Sequence, residues 1–187
     1  MVVAHNLECL SILRCFPRAE TQVQDVLDKL TAPSLTGIDL VAQSSDGADS
    51  VDLFDSVLNM VERSKCPIRH LVYRSSCIFP AHITRLLQYT DATLEWLELK
   101  DHVCCDRGMV NALVDALTAR NLDIPAPRLH YLSFSLPVTV DLDMGTHYRV
   151  DDFVEMVRSR QSVAPLRRLH IECKLEENNE SLLDSVD

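Results

Sequence analysis

Six times along this chain a short apolar motif, Leu-x-x-Leu-x-apolar, returns: LECLSI from Leu7, LTGIDL from Leu35, IRHLVY from Ile68, LEWLEL from Leu94, LHYLSF from Leu129 and LRRLHI from Leu166. No other feature limits the possible folds as much. Within each copy the apolar spacing changes from three residues to two, so the segment enters through a bend and leaves as a strand whose alternate residues share a face. In LEWLEL, Leu97 and Leu99 then share one face and Trp96 and Glu98 the other. Four copies follow closely on a proline, Pro33, Pro67, Pro127 or Pro165. Proline cannot continue a helix and biases its neighbour toward extended structure, so each marks a helix-to-strand passage.

Between the copies lie amphipathic segments, Gln22 to Leu30, Ser50 to Arg63, Ala81 to Tyr89, Met109 to Arg120 and Asp151 to Arg160, and all five read as helices. In the second, Leu53, Phe54, Val57, Leu58 and Val61 recur at helical spacing behind a candidate cap at Asp49; in the fifth, Asp152 and Glu155 form a candidate capping box. The motifs start 28, 33, 26, 35 and 37 residues apart, lengths that suit parallel strands joined by helical crossovers. Two α/β architectures meet that condition. A doubly wound sheet buries both faces, so its strands should be near-continuous apolar runs, and a nucleotide-binding version wants a glycine-rich first turn. Only four glycines occur, none clustered, and polar or charged residues alternate with the strand apolars. The expectation is therefore a leucine-rich-repeat-like solenoid of about six irregular strand-helix units, with a parallel sheet on its concave face and helices behind. Leu35, Leu71, Leu97, Leu132 and Leu169 are expected to face the core at equivalent positions. The doubly wound enzyme, with a pocket at the strand ends, is one competing reading, and a repeat fragment of another multidomain protein is the other.

Composition narrows the function. At 187 residues and 47% hydrophobic content the chain suits one domain, residues 1 to 175, followed by an acidic C-terminal tail over 176 to 187. Its 28 acids against 18 bases give a net charge of −10, which argues against a nucleic-acid partner. No apolar run approaches the roughly 18 residues of a membrane span. The N-terminus MVVAHNLECL carries no basic start before an apolar stretch, so a cytoplasmic or nuclear location is expected. Seven cysteines without a Cys-x-x-Cys pair read as reduced thiols.

The set APSLTGIDL, CPIRHLVY, APRLHYLSF and RVDDFVEMVRSR…APLRRLHI resembles the degenerate leucine-rich-repeat region of fungal F-box proteins, over most of residues 5 to 175. The resemblance implies an arc that recruits a substrate, in proteins whose N-terminal F-box docks on the adaptor of a cullin-type ubiquitin ligase. Two departures stand out. No F-box precedes the first repeat, so the adaptor contact is not expected of these residues themselves. The family's Asn or Cys three residues after the last strand leucine is matched only by Cys15, with Gln43, Ser76, His102, Pro137 and Lys174 in the other copies, so an irregular arc is expected.

Chemistry-bearing motifs are sparse. The stretch HVCCD brings together His102, Cys104, Cys105 and Asp106, but structural zinc wants separated ligand pairs and a nucleophilic cysteine wants a base and an oxyanion hole; it reads as a loop or packing feature. No Gly-x-Ser-x-Gly or Gly-Lys-Ser/Thr motif occurs. No catalytic residue, metal or cofactor is expected, and the chain reads as a non-enzymatic protein-interaction module. The open sheet face is its candidate surface. Aligning the six motifs puts Cys9, Gly37, His70, Trp96, Tyr131 and Arg168 in one outward row and Ser11, Asp39, Val72, Glu98, Ser133 and His170 in the next. Neighbouring strands lie about 4.8 Å apart, so His70, Trp96, Glu98, Tyr131, Arg168 and His170 are expected to share a partner-binding surface, with Trp96 well exposed and Arg168 stacked on Tyr131.

Overall fold

In a computed structural model, residues 1–15, 17–42, 50–74, 78–100, 107–120, 124–138 and 150–175 are described. The candidate cap Asp49, the HVCCD cluster and the acidic tail lie outside the described residues.

Each motif delivers one strand of a parallel sheet. The chain runs β1 (Val2–Val3), β2 (Cys9–Cys15), α1 (Pro17–Lys29), β3 (Leu30–Thr31), β4 (Gly37–Ala42), α2 (Ser50–Ser64), β5 (His70–Arg74), α3 (Pro80–Thr90), β6 (Trp96–Lys100), α4 (Arg107–Leu117), β7 (Tyr131–Val138), α5 (Val150–Arg160) and β8 (Arg168–Leu175). The main sheet has the order β2-β4-β5-β6-β7-β8, and β1 pairs with β3 beside it. All pairings are parallel, so the expected α/β class holds. Strand order follows the chain without reversal and the sheet does not close. The crevice at which a doubly wound sheet binds its ligand forms where strand order reverses, and these six strands contain no such point.

The bend in each motif has a repeated cause. The carbonyl of the second motif residue accepts the N–H groups of the second and third residues of the next motif: Glu8 O from Thr36 (2.8 Å) and Gly37 (3.1 Å), Thr36 O from Arg69 (2.8 Å) and His70 (3.0 Å), Arg69 O from Glu95 (2.8 Å) and Trp96 (2.9 Å). Glu95 O and His130 O do the same for the last two copies. This ladder locks all six strands into one register, with the prolines Pro33, Pro67, Pro127 and Pro165 in the connections that lead to it.

The core forms where strand residues of one parity meet the helices. Ile38, Leu40, Leu71, Tyr73, Leu97, Leu99, Leu132 and Phe134 pack with Leu53, Phe54, Leu58, Ile83, Leu86, Val110, Leu113 and Met156. Leu35 corrects one expectation. It is buried, but β4 pairs Ile38 with Leu71, so Ile38 is the residue equivalent to Leu71, Leu97, Leu132 and Leu169. Leu35 belongs to the first motif position with Ile68, Leu94 and Leu129, all buried before their strands begin. Helix starts also differ, by one or two residues at α3, α4 and α5 and by five at α1. α1 begins at Pro17, where a proline's missing N–H costs nothing, and α5 begins at Val150, which places Asp152 inside the first turn, favourable for the helix dipole, instead of at the cap.

Polar side chains from one helix finish the previous unit. Arg63 of α2 donates to the carbonyls of Leu27 (2.7 Å) and Leu30 (2.8 Å), and Ser64 Oγ accepts Ala32 N–H (2.9 Å). Three units later Ser159 Oγ accepts Ala119 N–H (3.1 Å), while Arg160 donates to the carbonyls of Leu117 (3.2 Å), Pro125 (2.5 Å) and Ala126 (2.7 Å). The C-terminal carbonyls of a helix need such partners when they are buried.

The start of α3 carries a titratable cap. His82 Nδ1 accepts the Phe79 N–H at 3.2 Å, and its ring is buried beside Phe54 and Phe79. Burial holds the imidazole below its ordinary pKa and Arg85 adds to this, while Asp55, 3.6 Å from Nε2, opposes. A base with a depressed folded-state pKa contributes stability that is complete above the unfolded value of about 6.5 and is lost as pH falls through the folded value. Thermal unfolding at pH 7.5 and 5.5 should show a larger drop for the parent than for His82→Gln, which keeps a neutral polar side chain at both pH values.

Candidate functional site

The opposite parity of the strands builds the other face. In the pairing, Cys9, Gly37, His70, Trp96, Tyr131 and Arg168 lie side by side, as do Ser11, Asp39, Val72, Glu98, Ser133 and His170. Val72 and Tyr131 are buried apolar residues that belong to this face and not to the helix-side core.

Three rings of the first row stack. Trp96 and Tyr131 have ring centroids 3.4 Å apart at 8°, and His70 and Trp96 lie 5.2 Å apart at 16°. A centroid separation equal to the thickness of an aromatic ring leaves no lateral offset, so the ring normals run along the row, across the strands. The rings therefore cover one another's faces and turn their edges outward. Trp96 is half-buried as a result, less open than alternation alone suggests, and Tyr131 is only 8% exposed. A full sandwich is not the arrangement aromatic pairs choose by themselves, and here the parallel register imposes it.

The second and third rows hold an ion-pair chain. Glu98 is 6% exposed and accepts from Arg74 Nε at 2.9 Å and Nη2 at 2.8 Å, with Lys100 Nζ at 3.7 Å. Lys100 also reaches Glu172 at 3.5 Å, on β8, across the small residues Ser133 and Ser135 of β7. Two acids and two bases balance, and the Glu98 carboxylate is committed to its neighbours.

Arg168 and His170 lie exposed on edge strand β8. Register sets Arg168 opposite Tyr131, but no contact of its guanidinium with that ring is found among the described residues. Trp96 Nε1, Ser133 Oγ and Asp39 Oδ1, all on this face, are buried without a hydrogen-bond partner. Sequence reasoning missed Arg74, Lys100 and Glu172. The spacing of Arg74 and Lys100 two residues beyond Val72 and Glu98 was the available signal.

Other chemistry is weak among the described residues. No group of three or more His, Cys, Asp or Glu side chains is placed to hold a metal ion. The buried Cys66 thiol is pushed up to about 11 by burial, which suppresses the thiolate. No described helix is long and apolar enough to cross a membrane. No protein-family model matches the chain, and neither a curated protein nor a solved structure shows significant similarity to it, so the resemblance to the repeat region of F-box proteins rests on the quoted motifs alone.

Proposed function

We propose that this chain is a non-enzymatic protein-recognition module, a leucine-rich-repeat-like arc whose open sheet face docks a protein segment. One observation carries the reading: the six motifs align so that His70, Trp96 and Tyr131 stack in one row on the side of the sheet away from the helices. Trp, Tyr and Arg are enriched among binding hot spots, and Trp and Tyr offer large, rigid area at low entropic cost. Beside that row, buried polar atoms of Trp96, Ser133 and Asp39 have no hydrogen-bond partner. As the motif resemblance implies, substrate recruitment for an F-box-type ubiquitin ligase is the biological setting we favour.

Selection of random dodecapeptides on the immobilised chain tests the docking face. Peptides enriched on the parent should lose on the order of 2 kcal/mol of affinity for Trp96→Ala or Tyr131→Ala, the hot-spot scale, and nothing for Gln88→Ala on the helix side. Lys100 is unsuitable as a control because it bridges Glu98 and Glu172. Enriched peptides that bind Trp96→Ala as tightly as the parent would remove this reading.

A further inference from the structure

The row of rings has a polarity of its own. An aromatic ring is negative on its faces and positive at its edge. Because Trp96 and Tyr131 are stacked face to face, 3.4 Å apart at 8°, and His70 follows at 16°, the outward surface of the row is built from ring edges. The connections that enter the strands at this end add cations. Register pairs Tyr131 with Arg168, which sets His130 beside Arg167, and Arg128 lies two residues before His130. Arg128, Arg167 and Arg168 are exposed and make no ion pair among the described residues. Arg69 is compensated by Glu95 at 3.9 Å, and Arg74, Glu98, Lys100 and Glu172 balance one another further along the strands. Among the described residues, positive charge without an acidic partner thus gathers at the start of β7 and β8, beside the rings, on a chain whose net charge is −10.

Resting on the docking reading above, we infer that the partner is a short carboxylate-rich peptide segment, lying across the ring edges of His70, Trp96 and Tyr131 with its acids on Arg167, Arg168 and Arg128. Charge complementarity selects acids over neutral or basic segments. Nucleic acid fits less well. His70 and Tyr131 flank the two faces of Trp96, which leaves a base no stacking site on the central ring.

Fluorescence anisotropy of a labelled dodecapeptide of alternating glutamate and glycine with one central leucine tests this on the full chain. Its glutamine counterpart and a twelve-nucleotide oligothymidylate serve as the comparison probes. At low salt the glutamate peptide should bind about tenfold or more tighter than the glutamine peptide, and Arg167→Glu/Arg168→Glu should remove that advantage, whereas Arg120→Glu, beyond the end of α4, should not. Circular dichroism confirms that the variants fold. Equal binding of the two peptides, tighter binding of oligothymidylate, an equal loss in Arg120→Glu, or no binding of the glutamate peptide each overturns the inference. If both peptides bind alike and both are lost in Trp96→Ala, the docking face stands and its acidic preference falls. If the glutamate peptide needs Arg167 and Arg168 but binds Trp96→Ala undiminished, an acid-binding patch separate from the ring row replaces the surface described here.

Discussion

Arg160→Met should destabilise the chain by about 3 kcal/mol or more, the scale of removing one member of a buried charged hydrogen-bond set. The guanidinium is 0% exposed and donates to three carbonyls, of Leu117, Pro125 and Ala126. Burial lowers its pKa from the ordinary arginine value, opposed by Asp91, yet arginine stays charged at any working pH. Methionine fills similar volume but removes the guanidinium donor from all three carbonyls. One of them belongs to Ala126, a buried residue held at φ 43°, in the left-handed region that a side chain disfavours. Its N–H is donated to the Asp91 carboxylate and its carbonyl accepts from Arg160 as well as from the Leu129 N–H at 3.0 Å, so side chains from neighbouring units reach both ends of this strained residue. Arg160→Lys should fall between, because an ammonium lacks the planar fork that spans the three oxygens. Urea unfolding measures all three chains, and a Met variant within 0.5 kcal/mol of the parent, a margin of about the size seen for neutral surface changes, would show the clamp to be dispensable.

Leu97→Asp should abolish cooperative folding. Leu97 is fully buried at the centre of the sheet, between Leu71 and Leu132, and no cation of the described residues lies on that face of β6. An unpaired carboxylate there costs several kcal/mol or forces its own protonation, a large fraction of the roughly 5–15 kcal/mol by which a domain is stable. Far-UV circular dichroism on heating should show no sharp transition, and the soluble yield should fall. A Leu97→Asp chain that melts like the parent would mean that the strand parity is reversed.

The strand register was legible because the motif repeats: six copies superimpose on their apolar positions, and a parallel sheet pairs equivalent positions of successive copies. That logic placed His70, Trp96 and Tyr131 in one row. It misjudged Leu35 because the first and second apolar positions of a motif are both buried, and only pairing tells which one lies in the strand. It also treated Glu98 as a free surface acid. Its burial depends on Arg74 reaching over from β5 and on small serines in β7 that let Lys100 and Glu172 meet, which are tertiary facts with no local pattern. The clamps by Arg63 and Arg160 were equally hidden, since each acts on carbonyls more than thirty residues away. Alternation likewise predicts an open Trp96, whereas stacking within the row covers it.

Because Trp96 is the chain's single tryptophan, its emission reports on the centre of the proposed surface without any label. The direct measurement is Trp96 fluorescence during titration with a peptide selected on the parent chain, with calorimetry on the same samples fixing saturation. Docking on the ring row should shift or quench the emission and reach its plateau at the calorimetric equivalence point. A peptide that saturates by calorimetry while Trp96 emission stays unchanged would place binding elsewhere and contradict the assignment of the open sheet face as the recognition surface.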